Sequence, residues 1–337
     1  MTPTPADRAY ELVNGFRASQ LVRGAVELKI PDLLSGGAMS ADQLSAATRI
    51  DAGRLRRLMR GLTALGVFIE HDDGRFTNTE VGELFREGVP GSQRPVAMML
   101  IPESYRGWDH FMDTLRSGVT GHSLAHGGTL WETIARDPDY AARFNQAMAS
   151  FSEGAVQFVA TSGHFRDGAL IVDVGGGKGA LVAGILRSNP SLRGIVCDLA
   201  AGLAETPQYL AGLDVADRCS VVEADFFKSV PSGGDVYLLK QIIHDWDDQH
   251  AATILSVCRR AMSAGARIMI VERVLPSRVT DDPSHLNPVM TDLQMMVQLG
   301  GRERTLEEYK HLLAGASLSF TNSVPGAGWG LIEGVAL

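Results

Sequence analysis

Apolar residues recur at helical spacing through most of the N-terminal part of the chain. They keep an approximate helical period from Tyr10 to about Leu34. The pattern Ser40-x-x-Gln43 is typical of a capping box that opens a short helix, and Asp51 can cap the helix after it. Short apolar runs on both sides of a turn at 71–75 indicate a β-hairpin. Two short helices followed by a hairpin predict a winged helix.

The stretch from residue 95 to residue 165 is predicted to be mostly helical, in segments at 95–117, 128–135 and 140–162. His122 and His126 lie between the first two segments and have the i, i+4 spacing of a metal site on a helix. The glycines at 118, 121, 127 and 128 favour a loop over a helix that would align the two imidazoles. We therefore expect no metal site there.

A stripe of large apolar side chains runs along the last of these segments at helical spacing. Such a stripe is most simply part of a hydrophobic core, although part of it could line an aromatic pocket. Both interpretations stay open from the residues alone. The stripe consists of Phe144, Met148, Phe151 and Phe158.

After residue 165, short apolar runs alternate with helical patterns, which is typical of a parallel sheet. The predicted strands are 170–174, 194–197, 220–223, 236–239 and 267–271. Ligands of open α/β sheets bind outside the carboxyl ends of the strands. Charged or titratable residues follow nearly every strand and therefore predict a lined cleft: Asp198, Asp225, Lys240, His244 and Glu272.

A glycine turn joins the first of these strands to a helix. The strand carries one acid, Asp173, and breaks into a glycine-rich run that includes Gly175 and Gly177. Glycines let backbone N–H groups and a helix N-terminus approach a ligand closely. The run also satisfies the loose dinucleotide fingerprint, so by itself it does not separate NAD from S-adenosylmethionine.

Two acids beyond the glycine turn suit a nucleoside. Asp198 lies 19 residues after Gly179, at a strand end where a carboxylate can accept both ribose hydroxyls. Asp225 and Phe226 suit an adenine, with the acid toward the exocyclic amine and the ring against the base. The alternative for Asp225 is a simple turn or helix cap.

His244 is the sharpest candidate for catalysis. An imidazole at a strand end on the ligand side of the sheet can take a proton from a hydroxyl. Glu272 and Glu303 could each accept from the other ring nitrogen and so fix the tautomer. The alternative is that His244 and Asp245 merely start the next helix. The hypothesis of a metal site built from His244, Asp245, Asp247 and Asp248 is less well supported, since consecutive residues rarely converge on one ion.

Composition narrows the class of protein. The chain has 337 residues, of which 45% are hydrophobic, and a formal net charge of −8. That charge argues against general binding to nucleic acid or anionic membranes. No signal-peptide pattern opens the chain, no apolar run approaches a membrane span, and the three cysteines are scattered. We expect a soluble cytoplasmic protein.

Six motifs in order resemble those of small-molecule O-methyltransferases that use S-adenosylmethionine, of the caffeic-acid and hydroxyindole type. The resemblance covers nearly the whole chain. The family includes bacterial members that modify polyketides and other aromatic compounds. The motifs are VDVGGGKG (172–179), CDL (197–199), ADFF (224–227), LKQIIHDWDD (239–248), IVERVLP (270–276) and GGRERTLEEY (300–309).

The resemblance implies a role for each matching residue. His244 would be the general base, flanked by Glu272 and Glu303, and the reaction would need no metal because the sulfonium is already a charged leaving group. S-adenosylhomocysteine would be the cofactor product. The residues implied to bind the cofactor are Asp173, Gly175, Gly177, Asp198, Leu199, Asp225, Phe226 and Lys240. Those implied to line the acceptor pocket are Phe144, Met148, Asp245, Asp292 and Met295.

The resemblance also implies the architecture. It predicts a winged-helix dimerisation domain at 1–95, a helical linker and acceptor-pocket segment at 96–165, and a Rossmann-like methyltransferase domain at 166–337. That last domain would contain a mostly parallel, seven-stranded sheet. The expected partners are an aromatic small molecule and a second copy of the chain, whose N-terminal helices would help to close the pocket.

Three other functions compete with an O-methyltransferase of secondary metabolism. One is a family member that binds S-adenosylmethionine but catalyses a non-methylating tailoring step. Another is a DNA-binding regulator, suggested by the winged helix and by arginines at 54, 56, 57 and 60 but opposed by the acids around them. The last is an NAD-dependent dehydrogenase, which the glycine turn alone would permit.

Overall fold

The computed structural model describes residues 4–326 and 328–336. The chain consists of two compact units, of which the first ends at Glu103 and the second begins at Ser104. Among its described residues the first unit has six α-helices, a 3₁₀ helix at Leu34–Gly36 and a small antiparallel sheet of order β1-β3-β2, and a seventh α-helix starts in it. Its elements are α1 (Pro5–Asn14), α2 (Phe16–Glu27), α3 (Ile30–Leu33), β1 (Met39–Ser40), α4 (Ala41–Thr48), α5 (Ala52–Ala64), β2 (Phe68–Glu70), β3 (Arg75–Asn78), α6 (Glu80–Glu83) and α7 (Arg94–Asp109).

The predicted caps and hairpin of this unit are confirmed. Ser40 and Gln43 make both bonds of a capping box, and the Asp51 side chain accepts from the N–H of Arg54. The hairpin pairs β2 with β3. The segment predicted as helical from Tyr10 consists of separate helices, because the chain breaks at Gly15 and at Lys29, which has a φ of 53°.

Four further helices precede the large sheet: α8 (Phe111–Ser117), α9 (Gly121–His126), α10 (Leu130–Arg136) and α11 (Pro138–Ser162). The prediction of a loop around His122 is wrong, since α9 is a helix. Thr120 caps its first turn, and Gly127, at a φ of 72°, ends it in the left-handed conformation. The glycines therefore delimit this short helix instead of interrupting it, and the rings of His122 and His126 stack with centroids 4.4 Å apart.

The predicted fold class is confirmed by a mixed sheet of seven strands in the order β11-β12-β8-β7-β4-β5-β6. The five inner and edge strands from β8 to β6 run parallel, and β12 and β11 join antiparallel. The strands are β4 (Leu170–Val174), β5 (Arg193–Asp198), β6 (Cys219–Glu223), β7 (Val236–Lys240), β8 (Arg267–Glu272), β11 (Leu318–Pro325) and β12 (Gly330–Ala336), with β9 (Val274–Leu275) paired to β10 (Arg304–Thr305).

Helices cover both faces of the sheet, and the central strands are correspondingly apolar on both faces. These helices are α12 (Ala180–Ser188), α13 (Ala200–Leu203), α14 (Thr206–Gly212), α15 (Asp248–Ala261) and α17 (Leu306–Gly315). A further helix, α16 (Pro283–Gln298), packs against β9 and α9. Register brings Lys240 at the end of β7 opposite Val271 of β8. The titratable side chains that follow the strands therefore meet at one edge of the sheet.

No described helix has the length and apolar character needed to cross a membrane. The cytoplasmic location expected from the sequence stays a prediction. The division into three segments at 95 and 165 also stays a prediction, since the structural boundary near residue 103 concerns compactness alone.

Candidate active site

His244 lies at the centre of a buried cluster of acids. It belongs to a short 3₁₀ turn, Ile243–Asp245, that follows β7, and it is 4% exposed. Its Nδ1 lies 2.8 Å from Oε1 of Glu303 and 3.4 Å from Oε2 of Glu272. The structure thus brings together the three side chains predicted to form the catalytic set, with both acids on the same ring nitrogen.

Glu272 fixes the backbone of the turn as well as facing the ring. Its Oε1 accepts from the N–H groups of Ile242 and Ile243, both at 3.0 Å, and of His244 at 3.3 Å. Three N–H groups directed at one oxygen, on a side chain with no exposed surface, leave the turn little freedom. The last residue of β8 therefore sets the position of the imidazole.

Burial dominates the electrostatics of the cluster. It raises the pKa of Glu272 to about 7 and the pKa of Glu303 to about 8. It also raises the pKa of Asp245 to about 7. Oδ1 of Asp245 lies 3.3 Å from Nε2 of His244, so a third carboxyl faces the second ring nitrogen. Three carboxyls therefore face one imidazole, and burial holds the pKa of each carboxyl above its usual range.

The cluster also offers a donor set that a divalent cation could use. Ligating atoms of His244, Glu272 and Glu303 lie within 4.8 Å of one another. Two of the residues considered for a metal site, Asp247 and Asp248, make other contacts. Asp247 instead caps α15 by accepting from the N–H of His250, and Asp248 pairs with Arg304.

The glycine turn after β4 requires glycine on steric grounds. Gly175 and Gly177 have φ values of 68° and 52°, in the left-handed region. A Cβ on Gly175 would lie 2.5 Å from Cδ1 of Ile242. The N–H of Gly177 donates to Oδ2 of Asp198 at 2.8 Å, and Oδ1 of the same acid accepts from the N–H of Leu199 at 2.7 Å. The turn and the end of β5 are therefore held together by one carboxylate.

Asp173 and Lys240 are a buried acid and a buried base beside this turn. Burial raises the pKa of Asp173 to about 7 and lowers the pKa of Lys240 to about 8. Nζ of Lys240 donates to Oγ of Ser152 at 2.9 Å. Oδ2 of Asp173 has no hydrogen-bond partner among the described residues. A buried carboxylate oxygen with spare capacity fits a cationic ligand, and so these residues fit S-adenosylmethionine.

Asp225 takes the turn-capping role that was the alternative for it. Its Oδ1 accepts from the N–H of Phe227 at 3.0 Å, and its Oδ2 pairs with Lys228 at 2.9 Å. Its proposed contact with adenine is compatible with these bonds, because a carboxylate can accept several hydrogen bonds. Leu199 is 56% exposed and Phe226 is half-buried, so both leave apolar surface for a ligand.

A continuous series of aromatic ring contacts connects Phe144 with Phe226. Trp131 stacks on Trp246 with centroids 5.7 Å apart and meets Phe144 edge-on at 6.1 Å. Trp246 in turn meets Phe226 at 6.3 Å and Phe227 at 4.7 Å. Sequence reasoning missed Trp131 and Trp246, because no local pattern shows that an indole on α10 reaches the turn after β7.

The other residues predicted for the acceptor pocket differ in their surroundings. Met148 is half-buried on α11, whereas Met295 on α16 is 9% exposed. Oδ1 of Asp292 accepts from the N–H of Glu303 at 2.9 Å. Asp292 therefore holds the backbone of an acid that touches His244, a role that its helical position did not indicate.

Comparison with known proteins identifies the family. A family model described as an O-methyltransferase domain matches residues 108–319, and one described as an O-methyltransferase dimerisation domain matches residues 10–88. The chain belongs to the O-methyltransferase family. The resemblance stated from its motifs is thereby confirmed. The enzyme is an S-adenosylmethionine-dependent O-methyltransferase with a dimerisation domain.

Two relatives and one solved structure illustrate what the enzyme is similar to. The phenazine O-methyltransferase PhzM of Lysobacter antibioticus is 35% identical over 324 residues, covering 96% of this chain and 94% of the relative. The 3-amino-4-hydroxybenzoate 4-O-methyltransferase of Streptomyces cremeus is 35% identical over 325 residues, with 96% and 88% covered. The crystal structure of NcsB1, an O-methyltransferase from neocarzinostatin biosynthesis in complex with S-adenosylmethionine and 2-hydroxy-5-methyl naphthoic acid, superposes with a TM-score of 0.79 at 28% identity, covering 95% of this chain and 96% of that one.

Proposed function

We propose that the enzyme methylates a phenolic hydroxyl of an aromatic secondary metabolite, with His244 as general base and without a metal. The observation that carries this proposal is the 2.8 Å contact between Nδ1 of His244 and Oε1 of Glu303. An ionised Glu303 accepts a hydrogen bond from the Nδ1–H group, so the neutral imidazole carries its proton on Nδ1 and keeps its lone pair on Nε2. That nitrogen is then the base for the acceptor hydroxyl.

The acids then stabilise the charge that proton transfer creates. When Nε2 takes the phenol proton, the ring becomes a cation inside the cluster of Glu272, Glu303 and Asp245. Oδ1 of Asp245, at 3.3 Å from Nε2, can accept the new N–H. It can also accept from the acceptor hydroxyl before transfer, which would orient the hydroxyl toward Nε2. We therefore propose that Asp245 contacts the substrate hydroxyl before proton transfer and accepts from the Nε2–H group of His244 after it.

The cofactor-binding roles rest on the fit described above. The glycine turn, Asp198, Leu199, Asp225 and Phe226 would hold the nucleoside, and Asp173 and Lys240 would lie toward the amino-acid end. S-adenosylmethionine supplies an electrophilic methyl group on a sulfonium when it is bound. Because the leaving group already carries charge, removal of one phenolic proton and correct positioning suffice, and the proposed mechanism uses no Lewis acid.

An aromatic acceptor suits the surroundings of the base. The rings of Trp131, Phe144 and Trp246 form a connected apolar surface, and Trp246 lies two residues after His244. The relatives named above act on a phenazine and on 3-amino-4-hydroxybenzoate. A first test set, the phenol panel, therefore comprises 3-amino-4-hydroxybenzoate, 2-hydroxy-5-methyl naphthoic acid and a hydroxyphenazine.

A homodimer is the proposed assembly. The match to the dimerisation domain begins at residue 10 and so includes the last turn of α1 and all of α2. Four large side chains there are each more than half exposed: Tyr10, Leu12, Val13 and Phe16. Contiguous exposed apolar side chains of this size mark an interaction surface. A second copy of the chain is the partner that the family model favours, and its contribution to the acceptor pocket is part of the proposal.

The competing functions receive less support. The complete set of His244, Glu272 and Glu303 gives no reason to replace methyl transfer by another step. For a DNA-binding regulator, Arg60 on α5 is already paired with Glu70 at 3.0 Å, which reduces the free basic surface. The family model assigns that unit to dimerisation.

Replacement of His244 tests the proposal. His244→Ala should bind S-adenosylmethionine with nearly unchanged affinity in titration calorimetry, because no proposed cofactor contact is lost. Its turnover on the phenol panel, followed by mass spectrometry, should fall by about 100-fold or more, as expected for loss of a general base. His311→Ala, an exposed histidine on α17, is the matched control. Wild-type turnover in His244→Ala would overturn the assignment.

A further inference from the structure

A fully buried arginine lies directly behind the catalytic turn and has no role in the proposal above. Arg304, the first residue of β10, has no exposed surface and is among the largest fully buried side chains of the described chain. Arginines are almost never fully buried unless their donors are satisfied. The partners that satisfy this guanidinium therefore indicate what it does.

Two of those partners bracket the general base. Nη1 of Arg304 donates to the carbonyl of Ile243 at 3.0 Å, and Nη2 donates to the carbonyl of Trp246 at 2.8 Å. These carbonyls stand on either side of His244 and Asp245. Nε also donates to Oδ1 of Asp248 at 2.9 Å. One planar group thus holds the turn at both ends and the start of α15.

The backbone next to Arg304 grips the same turn. The N–H of Arg302 donates to the carbonyl of His244 at 2.8 Å. A Cβ on Gly301 would lie only 2.1 Å from that carbonyl oxygen, so the two segments are in direct backbone contact. Residues 301–304 also carry Glu303. The contact between His244 and Glu303 joins positions 59 residues apart, and this segment is what brings them together.

We propose that Arg304 is a positioning residue for methyl transfer, which holds the His244 turn where Nδ1 meets Glu303. The inference rests on the proposed base role of His244. A guanidinium suits this task because its five N–H donors form a rigid fork, whereas a lysine ammonium is a single point on a flexible chain. Lysine in its place would keep the charge but could not reach both carbonyls and Asp248 together.

Arg304→Lys is the principal test, with Arg260→Lys, an exposed arginine on α15, as the matched control. We expect kcat on the phenol panel to fall by about 10- to 100-fold, because small misplacements of a base are costly. The dissociation constant for S-adenosylmethionine should stay within about two-fold, since the cofactor contacts lie elsewhere. The pH dependence of kcat should also differ from that of the wild type, because Nε2 of His244 is free to act as base only while an ionised Glu303 accepts from Nδ1.

A double variant separates this inference from the function on which it rests. In the His244→Ala background, Arg304→Lys should cause no further loss of turnover, since positioning an absent base has no effect. Full activity of His244→Ala alone would overturn the proposed function. An inactive His244→Ala together with wild-type kcat and pH profile in Arg304→Lys would overturn only the role of Arg304. The role of Arg304 would also be overturned if the double variant lost turnover by the product of the two single-variant factors.

Asp248→Asn keeps the inference falsifiable if Arg304→Lys does not fold. It removes one charge partner of the guanidinium, and the Asp248 side chain is 60% exposed, so folding should be retained. We expect kcat to fall several-fold, about 3- to 10-fold, with unchanged cofactor affinity. An unchanged kcat would contradict the proposal. If kcat, cofactor affinity and Tm all fell together and the KM for the acceptor rose, the role of Arg304 would be purely structural, and the proposal would be overturned as well.

Discussion

Removing the charge of Glu303 while keeping its hydrogen-bond acceptor tests the electrostatic part of the mechanism. In Glu303→Gln the amide oxygen can still accept from Nδ1 of His244, which lies 2.8 Å from the native carboxylate oxygen. The tautomer is therefore preserved, but the anion that stabilises the protonated ring is lost. The variant thus isolates charge from geometry.

The size of the effect follows from the contact. Two unit charges about 4 Å apart interact by about 4 kcal/mol at an effective dielectric of about 20. Glu272 and Asp245 remain in Glu303→Gln and replace part of that interaction. We expect a net loss of about 2–3 kcal/mol in the transition state, which corresponds to a fall in kcat of about 30- to 200-fold.

The pH dependence supplies a second readout. Burial raises the pKa of Glu303 to about 8. Below that pH the neutral acid donates to Nδ1, which leaves the ring proton on Nε2 and blocks the base. Above it, the carboxylate accepts from Nδ1 and frees Nε2. The kcat of the wild type should therefore rise between about pH 7 and 9, and this rise should be absent in Glu303→Gln.

The assay is the steady-state kcat on the phenol panel between about pH 6 and 9.5. Glu307→Gln, whose parent side chain is 71% exposed on α17, is the matched control. If Glu303→Gln kept kcat within about two-fold of the wild type, the charge would be irrelevant and the reasoning refuted. An alkaline rise of equal size in both enzymes would refute the titration argument separately.

Three further predictions test the cofactor, metal and assembly proposals. Asp173→Asn should weaken S-adenosylmethionine binding about 10-fold by calorimetry and remove a tightening between pH 6 and 8, because the ionised acid, whose pKa is about 7, attracts a cation; equal affinity at every pH in both proteins would contradict this. Turnover should survive EDTA treatment, whereas its loss and restoration by a divalent cation would show that the donor set around His244 binds metal. Val13→Glu on α1, where Val13 is 76% exposed, should give a monomer by light scattering, and an intact dimer would exclude this face.

Much of the site was predictable because parallel sheets place function at strand ends. Asp173, Lys240 and Glu272 end or nearly end β4, β7 and β8, so alternation of strands and helices alone brought them to one edge. The glycine turn was also predictable from the sequence. Gly175 has a left-handed backbone and approaches Ile242 closely, and because both conditions exclude other residues, the turn is marked by glycine in the sequence. The fold could therefore be predicted from the spacing of apolar residues, and the location of the site at the carboxyl ends of the strands could be predicted from the fold.

What could not be predicted depends on long-range packing. Trp131 reaches Trp246 across 115 positions of sequence, and no local pattern reports such a contact. The burial of Arg304 is likewise visible only in three dimensions. The helix α9 was missed for a local reason: glycine counts lower helix propensity, but Gly127 ends this helix as a left-handed cap. Position along the helix mattered more than composition.

The central claim is that His244 removes a proton from the acceptor, and an acceptor that needs no base tests it most directly. A nitro-substituted analogue of the phenol that the wild type methylates best is already ionised near pH 8, whereas an ordinary phenol has a pKa of about 10. His244→Ala should lose about 100-fold or more in kcat on the parent phenol, yet stay within a few-fold of the wild type on the nitro analogue. An equal loss on both acceptors would show that His244 acts by binding or packing, and the account would fail.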